Sequence, residues 1–174
     1  FPIIGEEKLK IIFTRPAVSD TNGQLPDYEA EFRVYKMTHR NVVSDRKQEY
    51  VLHFVSEEAI KNLKNKVQKS FVDKRWSEMI ENIFNKYFAG RKPLELEVTK
   101  GKHKYVVPNF MPVQFFNLAA IMSVSDEGNG SNYFFYEDQE KFNYKTLGKL
   151  FQGPVKETYF YQPANTFKDD GIVL

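Results

Sequence analysis

Trp76-Ser-Glu-Met-Ile-Glu-Asn-Ile-Phe-Asn-Lys-Tyr-Phe-Ala-Gly90 changes period relative to everything before it. Trp76, Met79, Ile80, Ile83, Phe84, Tyr87 and Phe88 recur at i, i+3, i+4 and i+7, which predicts an amphipathic helix with one apolar stripe and a charged, solvated opposite face. Gly90 is placed to stop it, because glycine adopts the left-handed conformation that closes helices. A stripe this rich in large side chains needs a sheet to lie on. Trp76, Ile80, Ile83, Phe84 and Tyr87 are therefore expected to anchor the helix to its sheet.

Upstream, the pattern is that of strands. Leu9, Ile11 and Phe13 alternate with Lys10, Ile12 and Thr14, and two more strand-like runs follow around Phe32–Tyr35 and Tyr50–Phe54. Turn chemistry separates them at Asp20-Thr-Asn-Gly23, at Leu25-Pro-Asp27 and at the polar stretch from Asn41 to Lys47. Three strands in succession predict a meander. At Ser56 the period switches: a candidate N-cap precedes Glu57 and Glu58, whose charges suit a first helical turn, and Ile60, Leu63 and Val67 follow. That switch is the expected domain boundary.

Downstream, Leu94-Glu-Leu-Glu-Val98 alternates strictly, Lys100-Gly-Lys102 turns, and Tyr105-Val-Val107 is expected to return beside it as a hairpin. Pro108, Asn109 and Pro112 are expected to break that strand and set the turn into a third helix, with Pro112 near its first position. Val113, Phe116, Ala120 and Val124 share one face of it, with Phe115, Ala119 and Met122 beside them. The loop Asp126–Asn132 feeds an aromatic strand, Tyr133-Phe-Phe-Tyr136, and Asp138–Lys141 turns into Phe142-Asn-Tyr144. Thr146 can cap a short turn carrying Leu147 and Leu150, and a last strand is read at Tyr159-Phe-Tyr161.

The whole chain, 174 residues with 41% hydrophobic and 28% charged side chains, is long enough for a real core. No cysteine is present, so disulfides, thiolate metal sites and a cysteine nucleophile are excluded. No apolar run approaches the roughly 20 residues of a membrane span, so a soluble chain without membrane binding is expected. The opening at Phe1 reads as an approach to a strand, and a longer parent polypeptide is expected. The formal net charge of +2 provides no strong global field for phosphate backbones.

Catalytic chemistry finds little foothold. His39, His53 and His103 are scattered without metal-ligand spacing, so neither a metal nor another cofactor is expected. No G-x-S-x-G elbow and no phosphate-binding glycine loop occurs. Glu95 with Glu97, and Glu137 with Glu140, are acid pairs of the kind a glycosidase uses, yet alternating acids on an apolar strand read as its wet face. The chain is therefore expected not to be an enzyme. Lys61, Lys64, Lys66, Lys69, Lys74 and Arg75, followed by aromatic strands, leave a single-stranded nucleic-acid-binding module as the rival from another class. Glu78 and Glu81 close behind them favour a solvated helix face.

The 16 Phe, 10 Tyr and 1 Trp make 16% of the chain aromatic. A strand reading Tyr-Phe-Phe-Tyr carries rings on both faces and needs covering twice, so Tyr133, Phe135, Tyr159 and Tyr161 are expected at domain or subunit contacts.

The order of these segments resembles the baseplate central hub protein of contractile-tailed, T-even-like bacteriophages, in its N-terminal part. The resemblance is carried by Phe1-Pro-Ile-Ile-Gly-Glu-Glu7 with the strands that follow, Glu57–Leu63 leading into Val67–Phe71, and the helix from Trp76 to Phe88. Its most specific pieces are Glu97–His103, Val106-Val-Pro-Asn-Phe-Met-Pro112, and Tyr133-Phe-Phe-Tyr-Glu137 followed by Phe142-Asn-Tyr144. It implies an α+β protein in which an antiparallel β-barrel, residues 1–56 and 156–174, is interrupted by an inserted α+β domain with about three helices, residues 57–155. It also implies a homotrimeric ring in the virion's tail baseplate, assembled in the host cytoplasm. That ring would contact the tail tube protein, the central spike and other baseplate proteins, with DNA only passing through its channel. The hub of a related contractile injection system shares these properties. A near-neutral charge suits a channel wall that does not grip DNA.

Overall fold

The computed structural model describes residues 7–13, 28–44, 46–88, 90 and 92–154. Three strands, β1 (Lys8–Phe13), β2 (Tyr28–Ser44) and β3 (Lys47–Val55), form an antiparallel meander. Then follow helix α1 (Glu57–Lys64), β4 (Val67–Lys74), α2 (Trp76–Tyr87), β5 (Leu94–Leu96), β6 (His103–Phe110), α3 (Pro112–Met122), β7 (Tyr133–Glu137), β8 (Phe142–Thr146) and the short α4 (Leu147–Phe151). The molecule is mixed α+β and rich in strands, and no closed barrel forms among the described residues.

The helix ends follow local chemistry. Ser56 Oγ accepts from the amide of Ala59, and Glu57 and Glu58 lie in the positive first turn of α1. The helix ends at Lys64, and Val67 opens β4 instead of extending the helical stripe, as its spacing suggested. Leu63 is exposed as a result. Val67 and Phe71 are both buried in β4, because residues four apart share a face of a strand, and bulges interrupt the pairing with its partner strand at both ends.

β6 pairs with β4, antiparallel, while β5 pairs with β8 in parallel. The expected β5–β6 hairpin is therefore absent: the segment around Lys100-Gly-Lys102 connects two sheets. Nor do Pro108 and Asn109 break β6. Pro108 stays in register opposite Gln68, Phe110 opposes Val67, and Asn109 is the extra residue of a bulge, at φ 57°. Asparagine tolerates that left-handed conformation better than most residues. Pro112 begins α3, where its missing N–H leaves no hydrogen bond unmade. Val124, expected on the α3 stripe, lies past the helix end and is exposed.

One core holds β4 to β8 together. Trp76, Met79, Ile80, Ile83, Phe84 and Phe88 bury the inner face of α2 against Phe115, Phe116 and Ala119 of α3, with Phe142 and Tyr144 of β8 beneath. The rings meet edge-on, tilted or stacked: Phe84 to Phe142 at 5.2 Å, Phe116 to Phe135 at 4.7 Å, Tyr133 to Tyr144 at 4.8 Å. Of the five expected anchors, Trp76, Ile80, Ile83 and Phe84 are buried and Tyr87 is partly buried at the rim.

Candidate functional site

Two features stand out from this frame, and the first is the face of the meander. Directly opposed residues share a face of a sheet. The pairs Leu9 with Phe32, Ile11 with Ala30, Val34 with Phe54 and Met37 with Leu52 therefore build one apolar side. Lys8 with Arg33, Lys10 with Glu31, and Lys36 with His53 build a charged one, laced by ion pairs such as Lys10–Glu29 and Lys8–Glu31. On the apolar side only Val34 is fully buried, while Phe13, Tyr50 and Phe54 are exposed, Phe54 at 39%. No other described element packs broadly on this sheet. Its ties to the rest are local, such as the 3.8 Å approach of Arg33 to Glu57 of α1. β2 and β3 also run past the end of β1 as a two-stranded arm, with Val42 and Val43 exposed near its tip.

The second feature is a buried acid. Glu97 is 3% exposed, although its alternation with Leu94 and Leu96 marked it as part of a wet face. β5 stops at Leu96, and the chain turns so that Glu97 points inward and Val98 outward. Four donors meet its carboxylate. Oε1 accepts from Ser125 Oγ at 2.6 Å and Asn129 Nδ2 at 3.0 Å, and Oε2 accepts from the Thr146 amide and Thr146 Oγ1, both at 2.8 Å. Burial alone would push this carboxyl up, but the bonds from Ser125, Thr146 and Asn129 outweigh it and hold it below the usual carboxylate range. Burial, followed by the nearby Glu97 charge, pushes the Tyr133 hydroxyl up to about 12. Thr146 also caps α4 by accepting from the Lys149 amide.

The polar core continues from there. Ser77 and Thr99 exchange hydrogen bonds between α2 and the bridge of Thr99 with Ser125, and Arg75 reaches both the Thr99 carbonyl and Asp126. With both carboxylate oxygens of Glu97 bonded within the protein, Glu97 acts as a structural lock that ties β5, the loop 123–132 and the start of α4 together. Ser125, Asn129 and Thr146 escaped sequence reasoning because they lie 28, 32 and 49 residues from Glu97. Glu95, by contrast, is on the wet face, where Lys141 and Lys145 hold its carboxyl low.

The expected contact residues separate. Tyr133 is buried, its hydroxyl donating to the Val98 carbonyl, and Phe135 packs inward on Phe116. Both belong to the core, because the odd positions of β7 face α3, and they are corrected as contact residues on that ground. Phe134, between them, is the outward ring at 48% exposure. Tyr159 and Tyr161 lie outside the described residues. Pro108, Asn109 and Pro112 stand at the β6–α3 junction, where Asn62 Oδ1 accepts from the Val113 amide.

Three of the six basic residues named for nucleic acid have partners within the protein. Lys69 donates to Asn82, Lys74 pairs with Glu78, and Arg75 pairs with Asp126. Among the described residues no group of three or more His, Asp or Glu is placed to hold a metal, and no helix is long and apolar enough to cross a membrane. No protein-family model and no curated protein matches the chain.

Proposed function

We propose that this chain is a structural part of the central hub of a contractile-tail baseplate, or of the equivalent hub in a related injection machine. In this reading, residues 1–56 and 156–174 supply barrel strands and residues 57–155 the inserted α+β domain. Three copies form the ring that joins tail tube to spike around the DNA channel. The observation that carries the reading is the sheet β1–β3, amphipathic across its whole width, on whose apolar side no other described element packs broadly. A sheet of this kind is stable in water only when something covers it. The separate core between Val67 and Tyr144 supports the division, since the meander contributes no residue to it. The order of the motifs supports the family.

Substitutions on the apolar face test it in the full-length protein. Phe54→Lys and Tyr50→Lys are expected to weaken assembly by about 30-fold or more, the size of a lost interface hot spot of about 2 kcal/mol. Lys10→Glu and Lys36→Glu, on the charged side, are expected to leave it intact. Assembly unaffected by both apolar-face changes, with the fold retained, would overturn the proposal.

A further inference from the structure

We propose that Asn129–Gly130 is a self-modification site, held inactive by the lock around Glu97 and unable to re-close once it has reacted. An asparagine followed by glycine is prone to attack by its own backbone, because glycine has no Cβ to obstruct the approach of its nitrogen to the asparagine side chain. The pair stands in an exposed loop in which Gly128, just before it, and Gly130 itself take φ values of +83° and +98°. The side chain of Asn129 is nonetheless held from three sides. Nδ2 donates to Glu97 Oε1 at 3.0 Å and to Glu127 Oε2 at 3.3 Å, and Oδ1 accepts from Gln152 Nε2 at 2.8 Å. The Gly130 carbonyl accepts from the Ser125 amide at 2.8 Å. A Cβ at Gly148 would fall 2.5 Å from the Asn129 carbonyl oxygen, so the first turn of α4 packs directly on this backbone.

The step is a balanced acyl transfer. The Gly130 nitrogen forms a bond to Asn129 Cγ and gives up its proton, while the Cγ–Nδ2 bond breaks and the side-chain nitrogen leaves as ammonia. Water then opens the cyclic imide at either carbonyl, leaving aspartate or its isomer with the backbone routed through the side chain. No electron is transferred. While Glu97, Glu127 and Gln152 grip the amide, Cγ cannot turn toward the Gly130 nitrogen, so reaction requires the loop to open.

After reaction, an oxygen stands where Nδ2 donated, 3.0 Å from Glu97 Oε1. Two carboxylates at that distance repel unless one takes a proton. Of the titratable groups around Glu97, Glu95 from β5, Asp126 and Glu127 from the loop and Tyr133 from β7 add negative charge or none; the Lys149 cation of α4 reaches Glu97 only through its field, its ammonium being bonded to Glu127.

The test follows conversion at Asn129 by peptide mass after incubation in mildly alkaline buffer at physiological temperature. The folded protein is expected to convert at least about tenfold more slowly than the chain in urea, with Glu97→Gln and the rim variant Gln152→Ala both faster than wild type. Equal rates in the folded and unfolded chain, or a folded Gln152→Ala variant that reacts no faster, would overturn the gating. Asn129→Asp, which is the product, is expected to be less stable than wild type at neutral pH and to recover as the pH falls and one carboxyl of the pair takes a proton. Stability equal to wild type at every pH would overturn the claim that the product cannot re-close the lock.

Discussion

Replacing Glu97 by glutamine keeps the shape of the side chain and removes one acceptor and the charge. In the native protein four donors converge on the carboxylate, two on each oxygen. The glutamine oxygen can keep the Thr146 amide and hydroxyl. Its NH₂ then faces Ser125, whose hydroxyl can rotate to accept, and Asn129, whose amide cannot reverse without losing Gln152. One donor is left facing a donor, so the Asn129 bond is lost, and the other three charge-assisted bonds become neutral. The lost bond at about 1.5–3 kcal/mol, with roughly 0.5–1 kcal/mol for each of the three weakened, puts the expected loss at about 3–6 kcal/mol. Equilibrium urea denaturation with the slope held common measures it, with a fall in Tm of about 2–4 °C for each kcal/mol in a chain of this size. The pH dependence provides a second reading. The folded carboxyl titrates below its ordinary value of 4.5, so the unfolded chain binds the proton first. The contribution of Glu97 is therefore full above about pH 4.5 and fades as the pH falls through the lowered folded value. The gap between wild type and Glu97→Gln should close in acid. A loss under about 1 kcal/mol at neutral pH, or a gap that does not narrow, would refute the account of the lock.

Other consequences are simpler to read. Phe84→Ala and Trp76→Ala each remove a buried ring from the α2–α3–β8 core and are expected to cost about 3–5 kcal/mol in denaturant titrations. Because Trp76 Nε1 is buried without a hydrogen-bond partner, Trp76→Phe should cost far less than Trp76→Ala. Asn109→Gly should be close to neutral, whereas Asn109→Ala should lose about 1 kcal/mol, since alanine resists φ 57°. Asp138→Ala should loosen the β7–β8 turn by about 1–3 kcal/mol, because its carboxylate accepts from the amides of Glu140 and Lys141 and from Asn143. Faster hydrogen exchange confined to that hairpin checks it.

How far the fold could be read in advance depended on how local its causes were. The α2 stripe, the Ser56 cap, Pro112 at the start of α3 and the β7–β8 hairpin are each set by residues a few positions apart, and each appears where its pattern predicts. β4 was hidden because Leu63 and Val67 continue a helical spacing by coincidence. The strand is held by β6, whose partner residues lie 29 to 43 positions on, through a register shifted by bulges that no period describes. The same reason hid the partner of β5, since Leu94–Val98 and Tyr105–Val107 satisfy hairpin spacing while the pairing is decided by Phe142, Asn143 and Tyr144. Glu97 shows the limit for the candidate site. A charged residue alternating with leucines carries the pattern of a solvent face, and only the convergence of Ser125, Asn129 and Thr146 reverses it. The apolar face of β1–β3 was legible as alternation, but that no other described element packs broadly on it belongs to tertiary structure.

The central proposal is that the apolar face of the meander serves assembly, and the mass of the full-length protein in solution tests it most directly. Sedimentation equilibrium or light scattering at micromolar concentration should return three times the mass of one chain, with no smaller species at that concentration. A monodisperse monomer under those conditions would contradict the account.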